Sequence, residues 1–213
     1  MTRAIDTKDK IVSVASELFA TRGYDGTSIR EIAKTADVNL AAVNYHFTSK
    51  QSLYIEVFNL NYTKMKEDYE KINDEFPDLS TKELVLKIYN YLVNNGTSLL
   101  NAFKVILNSN ILLDDNQNVL ASASDFLPPG GEVILAAIKR DVGEDYPEEG
   151  LFWATTTIFS LLTHKGIMMN STIVQKICTQ NSYFNEENTV KYFNHFVDSI
   201  LVHLKESKDQ WNR

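Results

Sequence analysis

One cysteine, Cys178, in 213 residues leaves no partner for an intrachain disulfide. The fold must therefore be held by packing, as fits a reducing compartment. Long hydrophobic runs are missing as well. The most apolar stretch, Leu151 to Leu162, contains three threonines and Ser160 and is closed by His164 and Lys165. It is too short to span a membrane. Residues 1–20 carry charges throughout and lack the apolar centre of a signal peptide. No Gly-rich phosphate loop, nucleophile elbow or Cys–His pairing occurs. Asp114-Asp115, Glu144-Asp145 and Glu148-Glu149 fall at loop or helix starts and read as solvated caps rather than an acid/base pair. His195 and His203 are eight residues apart on one helix, roughly 12 Å by helical rise, and cannot share a metal ion. His46 has no ligand partner at suitable spacing, and His164 stands alone at a helix end. These absences point to a soluble cytoplasmic protein that is not an enzyme and holds neither cofactor nor metal. The sequons at Asn61, Asn95 and Asn170 are then chance matches.

What is present is helix. Hydrophobic content of 44% and charged content of 23% suit a globular chain with a real core. No stretch alternates as a strand would. The net charge of −7 is unevenly spread. Residues 1–50 hold seven Lys/Arg against six Asp/Glu, and residues 51–213 hold fourteen against twenty-two. The acidity thus belongs to the larger part, and the first fifty residues are spared it, which is compatible with a nucleic-acid partner there.

The spacing of Ile11, Val14, Ala15, Leu18 and Phe19 predicts a first helix over residues 7–21, with Gly23 as its terminator. Ile29, Ile32, Ala33 and Ala36 give a second helix one apolar face, and Ser28 with Glu31 has capping-box spacing. Asp37 stands where the chain must turn, and Asp tolerates a left-handed backbone. Val38 buries that turn. Asn39 can cap a third helix that runs to about Tyr45. Together these form a helix-turn-helix, in which the second helix of the motif lies in the DNA major groove. Leu18, Phe19, Ile32, Val38 and Val43 are its expected core. Thr48 with Gln51 predicts a cap for a connector helix from about Lys50 to Asn73, ended by Phe76-Pro77-Asp78. Helices follow at about 80–95, 98–110, 131–142, 148–167 and 187–206, with shorter pieces near 117–126 and 171–180. Breaks fall at Asn94-Asn95-Gly96, Pro128-Pro129-Gly130-Gly131 and Tyr146-Pro147.

Ala15, Leu18-Phe19, Gly23-Tyr24, Thr27-Ser28-Ile29-Arg30-Glu31-Ile32-Ala33, Ala36, Val38, Tyr45-His46-Phe47, Ser49-Lys50 and Leu53-Tyr54 form a run whose order and spacing resemble the DNA-binding domain of the tetracycline-repressor (TetR) family. The resemblance covers about the first 60 residues; residues 61–213 are similar to the family only in length and helical character. Asp37 stands where the family most often has glycine, and Asn44 where it often has tyrosine. The expected fold class is all-α, and the resemblance implies a DNA-binding domain over residues 1–49 and a helical effector-binding and dimerisation domain over residues 50–213.

The candidate DNA-contacting residues are Thr27, Ser28, Asn39, Leu40, Ala41, Asn44, Tyr45, His46 and Lys50. Thr27 and Ser28 lie at a helix N-terminus, where a phosphate is favoured; capping alone would also explain them. Leu40 and Ala41 suit a thymine methyl, and the Asn44 amide can pair with adenine. The resemblance places Tyr45, His46 and Lys50 at backbone phosphates and Phe47 in the core. It also implies a homodimer built on the last two long helices, here Phe152, Phe159, Phe193, Phe196, Val197, Ile200 and Leu204, although the same residues could be monomer core. It further implies a small-molecule effector pocket among the middle helices, with Tyr62, Met65, Phe103, Leu107, Trp153, Thr157, Met168 and Met169 as candidates, each of which could equally be ordinary core. The expected function is a transcriptional regulator, a repressor that binds a near-palindromic operator and is released by its effector. The alternative is an all-α carrier or enzyme with a vestigial DNA-binding domain.

Overall fold

Each of the first three helices begins on a side chain that caps it. In the computed structural model, which describes residues 6–107, 127–181, 183 and 185–211, Asp6 opens α1 (Thr7–Arg22), Ser28 opens α2 (Ile29–Thr35) and Asn39 opens α3 (Leu40–His46). Each cap accepts a backbone N–H from the first turn, one of the donors that a helix leaves unpaired. Gly23, at φ 72°, ends α1 in a conformation that a side chain would strain. Asp37, at φ 50°, is the one non-glycine residue with positive φ among the described residues, and it makes the turn between α2 and α3. Ile11, Ala15, Phe19, Ile32 and Val43 are fully buried where the three helices meet. Full burial of a side chain such as Phe19 is worth about 1.5–3 kcal/mol.

The fourth helix, α4 (Lys50–Glu75), starts at the expected residue but not on the expected cap. Ser49 and Ser52 exchange backbone-to-hydroxyl bonds of 3.0 and 3.1 Å, so Ser49 and Ser52 take the reciprocal role expected of Thr48 and Gln51. Next, α5 (Thr81–Leu107) runs without interruption through Asn94-Asn95-Gly96. The break expected there is absent. A mid-helix glycine costs only about 1 kcal/mol against alanine, and Asn95 donates its amide back to the Tyr91 carbonyl at 3.1 Å. The helix expected near 117–126 and the Asp114-Asp115 pair lie outside the described residues.

After the prolines come α6 (Gly131–Val142), α7 (Glu148–Met169), α8 (Thr172–Thr179), α9 (Glu186–Glu206) and a 3-10 turn at Lys208–Gln210. All regular elements among the described residues are helical, and none is long and apolar enough to cross a membrane. Gly130, at φ 75°, precedes α6 with the Tyr69 ring against it; a Cβ there would stand 2.4 Å from the ring.

The described residues group into two compact units. One, the head, holds the chain up to Lys64 and the end of α5 from Thr97. The other, the body, runs from Met65 to Gly96 and then through the remaining described residues, so α4 and α5 each contribute to both. In the body α6, α7 and α9 pack on one another around Ile134, Ile138, Ala154, Ile158, Leu162, Val197 and Leu204, all fully buried.

Candidate nucleic-acid interface

Two buried residues hold α3 in place and leave its other face open. Val43 is fully buried and Phe47, just past the end, nearly so, while Ala41, Asn44 and Tyr45 are exposed, Tyr45 at 85%. Leu40 is 37% exposed. The 3.6-residue period produces this division, since Ala41 and Tyr45 fall opposite Val43, with Asn44 and Leu40 on the flanks. Asn39 accepts the Ala42 N–H at 2.6 Å and fixes where the helix starts. The Val38 N–H donates to the Ala33 carbonyl at 3.0 Å, closing the turn onto α2. His46 is half-buried, with its ring 5.2 Å from that of Tyr45. A seven-residue helix thus presents one small apolar residue, one carboxamide and one tyrosine on a rigid support, the kind of surface that reads base edges and phosphates.

Thr27 does not fit the role expected of it. Its side chain is buried, and its hydroxyl is shared between the carbonyls of Gly23, at 2.9 Å, and Leu18, at 3.2 Å. It ties the end of α1 to the start of α2 and has no hydroxyl to offer a phosphate. Ser28 is exposed. Its oxygen accepts the Glu31 N–H at 3.2 Å, and its own proton stays available to a second acceptor. The other half of the capping box is not formed, because the Glu31 carboxylate pairs with Arg22 across α1 and α2.

The cations of this region are held in different ways. Lys8 meets Glu56 at 2.5 Å, and that bond lifts its ammonium above the usual lysine value. Arg22 is taken by Glu31. Lys50 instead lies over the face of Tyr24, 4.1 Å from the ring centroid. Tyr24 in turn packs on Phe19 and, edge to face, on Tyr54 at 5.2 Å. The Tyr54 hydroxyl donates to the Val105 carbonyl of α5. Sequence spacing gives no hint of a contact between residues 24 and 50.

The body corrects several expectations. Phe193, Val197, Ile200 and Leu204, expected at a dimer interface, are buried in the subunit's own core. Phe152 is 45% exposed, and Phe159 and Phe196 are half-buried. The outward-facing apolar residues of α9 among those described are Val190, Tyr192 and Val202. Between α7 and α9 lies a cavity of about 240 Å³ lined by Leu161, Lys165, Tyr183, Thr189, Tyr192, Phe193 and Phe196.

The described residues expected at an effector pocket each have contacts of their own. Trp153 meets His203 edge to face and packs at a tilt on Trp211, which the 3-10 turn brings over Gly150. Thr157 spends its hydroxyl on the Trp153 carbonyl at 2.6 Å. Met168 is exposed, Met169 lies against Cys178, Tyr62 is half-buried beside Phe58, and Met65 is buried. The side chains of Phe103 and Leu107 lie outside the described residues. Tyr69 and Asn73 were not among the expected effector residues. They sit one turn apart on α4, and the Tyr69 hydroxyl and the Asn73 carbonyl oxygen are buried with no hydrogen-bond partner among the described residues. No group of acidic, His or Cys side chains among those residues could hold a metal ion.

Residues 11–57 match the family model described as bacterial regulatory proteins, tetR family. Over 84 residues the chain is 38% identical to a probable HTH-type transcriptional regulator of Bacillus subtilis, YttP, covering 39% of this chain and 41% of that one. It is 37% identical over 67 residues to the HTH-type transcriptional regulator QacR of Staphylococcus aureus, covering 32% and 36%. Over 47 residues it is 49% identical to IcaR of the same species, a negative regulator of a biofilm operon, covering 22% and 25%. The matched stretches thus span less than half of each relative. Whole-chain similarity appears in structure. A tetR-family protein from Rhodococcus RHA1 superposes with a TM-score of 0.60 at 19% identity, covering 94% of this chain and 98% of that one. The regulator PfmR of Thermus thermophilus gives 0.57 at 19% identity, with 93% and 97% covered.

Proposed function

We propose that this chain is a member of the tetR family of bacterial regulatory proteins, a sequence-specific DNA-binding transcriptional repressor released from its operator by a small-molecule effector. The observation that carries the reading is the outward face of α3. Ala41, Asn44 and Tyr45 are exposed, with Leu40 beside them, on a helix pinned by Val43 and Phe47. No packing role accounts for that face. In the division of labour we infer, residues 1–49 read DNA and residues 50–213 bind effector and dimerise. Asn44 selects a base, Leu40 and Ala41 meet thymine methyls, and Ser28, Asn39, Tyr45, His46 and Lys50 fix the register on the phosphates.

One helix-turn-helix reads too few base pairs, and a two-fold dimer sets two recognition helices about 34–36 Å apart. A second copy has a surface to use. Phe152, Tyr192 and Val202 are exposed on α7 and α9, and Tyr192 also lines the cavity with Leu161 and Phe196. Val202→Glu is expected to shift the protein toward monomer in sedimentation. For the effector, Tyr69 and Asn73 offer buried polar atoms that a ligand could satisfy; leaving such atoms unpaired costs about 1–3 kcal/mol each. Small molecules that bind there would raise the melting temperature and weaken DNA binding together. As a regulator of bacterial genes the protein works in the cytoplasm, and it performs no catalysis.

The test is binding to DNA from the chain's own upstream region across a salt series. With about 6–10 phosphate contacts, affinity falls by roughly 10³–10⁵ between 50 and 200 mM salt. Lys50→Ala weakens all sequences alike, whereas Asn44→Ala costs about 1–3 kcal/mol and relaxes preference at one base. Salt-insensitive binding, or indifference to both substitutions, sinks the proposal and favours a carrier with a vestigial head.

A further inference from the structure

Lys50 is the first residue of a 26-residue helix. The positive end of the helix dipole lies there, a place that favours anions and disfavours a lysine. Something must offset that repulsion if the ammonium is to stay. Lys8, in the first turn of α1, shows the usual solution, a carboxylate partner, which cancels the charge it holds. The Tyr24 ring does something different. Its face attracts a cation through the quadrupole and leaves the full positive charge in place.

The ring is itself immobilised. Tyr24 follows Gly23, whose positive φ sets the exit from α1, and its carbonyl accepts the Thr27 N–H at 3.3 Å. Phe19 stacks on the ring at 6.0 Å, and the Tyr54 ring meets it at 86°. Tyr54 is 5% exposed and is anchored by its hydroxyl to Val105, which is fully buried. Burial, with Asp25 nearby, holds the Tyr24 phenol above its usual value, so it stays neutral through the working pH range.

We propose that Tyr24 is a positioning residue for DNA binding: its ring, braced by Tyr54 and Phe19, holds the Lys50 ammonium aimed for a backbone phosphate before DNA arrives. The inference rests on the DNA-binding reading above and goes beyond it in assigning a role to residues that touch no DNA. A lysine side chain loses considerable rotamer entropy when it is fixed. A platform that limits its freedom in the unbound protein reduces what is lost on binding.

A phosphate contact is independent of sequence, so the experiment needs no known operator. Binding of a random-sequence duplex is measured over a salt series for the wild type, Tyr24→Phe, Tyr24→Leu, Lys50→Ala and the Tyr24→Leu/Lys50→Ala double variant. Tyr24→Phe keeps the ring and should bind within about two-fold of wild type, whereas Tyr24→Leu should bind roughly two- to five-fold more weakly per subunit, the size of an exposed cation–π contact. Lys50→Ala should lower the slope of log affinity against log salt by about one per subunit. The decisive result is the double variant, which should bind no more weakly than Lys50→Ala alone. If the two losses add, or if Tyr24→Phe is as weak as Tyr24→Leu, the role assigned to Tyr24 is wrong while DNA binding stands. If the wild type does not bind the duplex at all, the DNA-binding reading fails and takes this one with it. Should Tyr24→Leu fail to fold, the upfield ring-current shift of the Lys50 ε-methylene signals in the free wild type replaces it, and unshifted signals overturn the proposal.

Discussion

The head and the body of this chain are both all-helical, but their residues reach their places by different means. In the head, placement is local. Asp6, Ser28 and Asn39 cap their own helices, Gly23 and Asp37 turn the chain where they stand, and the apolar residues face inward at helical spacing. In the body, long helices carry apolar residues on several sides, and packing among α6, α7 and α9 decides which of them are buried. A short helix bounded by caps has one way to lie. A long helix with two apolar faces has at least two, and only its neighbours choose between them.

The largest effects come from emptying the two cores. Phe19→Ala in the head should cost about 3–5 kcal/mol and Ile158→Ala in the body about 2–5 kcal/mol, since both side chains are fully buried. Chemical denaturation followed by circular dichroism should show each substitution moving a different part of the transition. If both shift one common transition equally, the two regions unfold as a unit and the contrast drawn here holds for placement but not for stability.

Next in size is the turn. Asp37→Val puts a β-branched residue at φ 50° and should lose about 1–2 kcal/mol in head stability, whereas Asp37→Gly should be neutral or slightly stabilising. A valine tolerated there would mean the turn can rearrange and that placement in the head is less local than the caps suggest. Ser28→Ala should cost about 1 kcal/mol as a lost N-cap. Thr48→Ala should cost less than about 0.5 kcal/mol, because Ser49 and Ser52 carry that cap. Equal losses from the two substitutions would argue against the cap assignment.

The smallest effect at neutral pH belongs to the body. Tyr69 is fully buried, and burial first, with Tyr91 nearby, pushes its phenol well above the ordinary value. Tyr91 is raised as well, by burial and by its bond to the Asp68 carboxylate. A raised phenol contributes stability that is complete below the unfolded value, about pH 10, and is lost as pH climbs toward the folded one. Tyr69→Phe should be neutral, or stabilising by up to about 1 kcal/mol, at pH 7 because the hydroxyl is unpartnered. Above pH 10 it should flatten the fall in unfolding midpoint. An alkaline fall unchanged by Tyr69→Phe and Tyr91→Phe would place that sensitivity elsewhere.

The same contrast explains what could be read in advance. The helix-turn-helix, its caps and the exposed set Leu40, Ala41 and Asn44 were legible because each depends on residues within a turn or two. Thr27 was misjudged because its hydroxyl goes to the carbonyl of Leu18, nine residues back, as well as to Gly23. Asn94-Asn95-Gly96 looked like a break because propensity was weighed locally, while α5 is carried through by its apolar face. On α9, Phe193, Val197, Ile200 and Leu204 form one stripe, and a stripe alone does not say whether it meets its own subunit or another.

The sequence by itself determined that this protein is helical, that its first fifty residues form a helix-turn-helix, and which α3 residues turn outward. Those properties follow from periodicity, capping chemistry and the few residues that tolerate a left-handed backbone, all short-range. Only the tertiary structure decided that Tyr24 lies beneath Lys50, that Tyr54 reaches Val105 and that the inward stripe of α9 is subunit core. Such contacts join residues 26, 51 or more positions apart, and no local rule fixes the packing that brings them together.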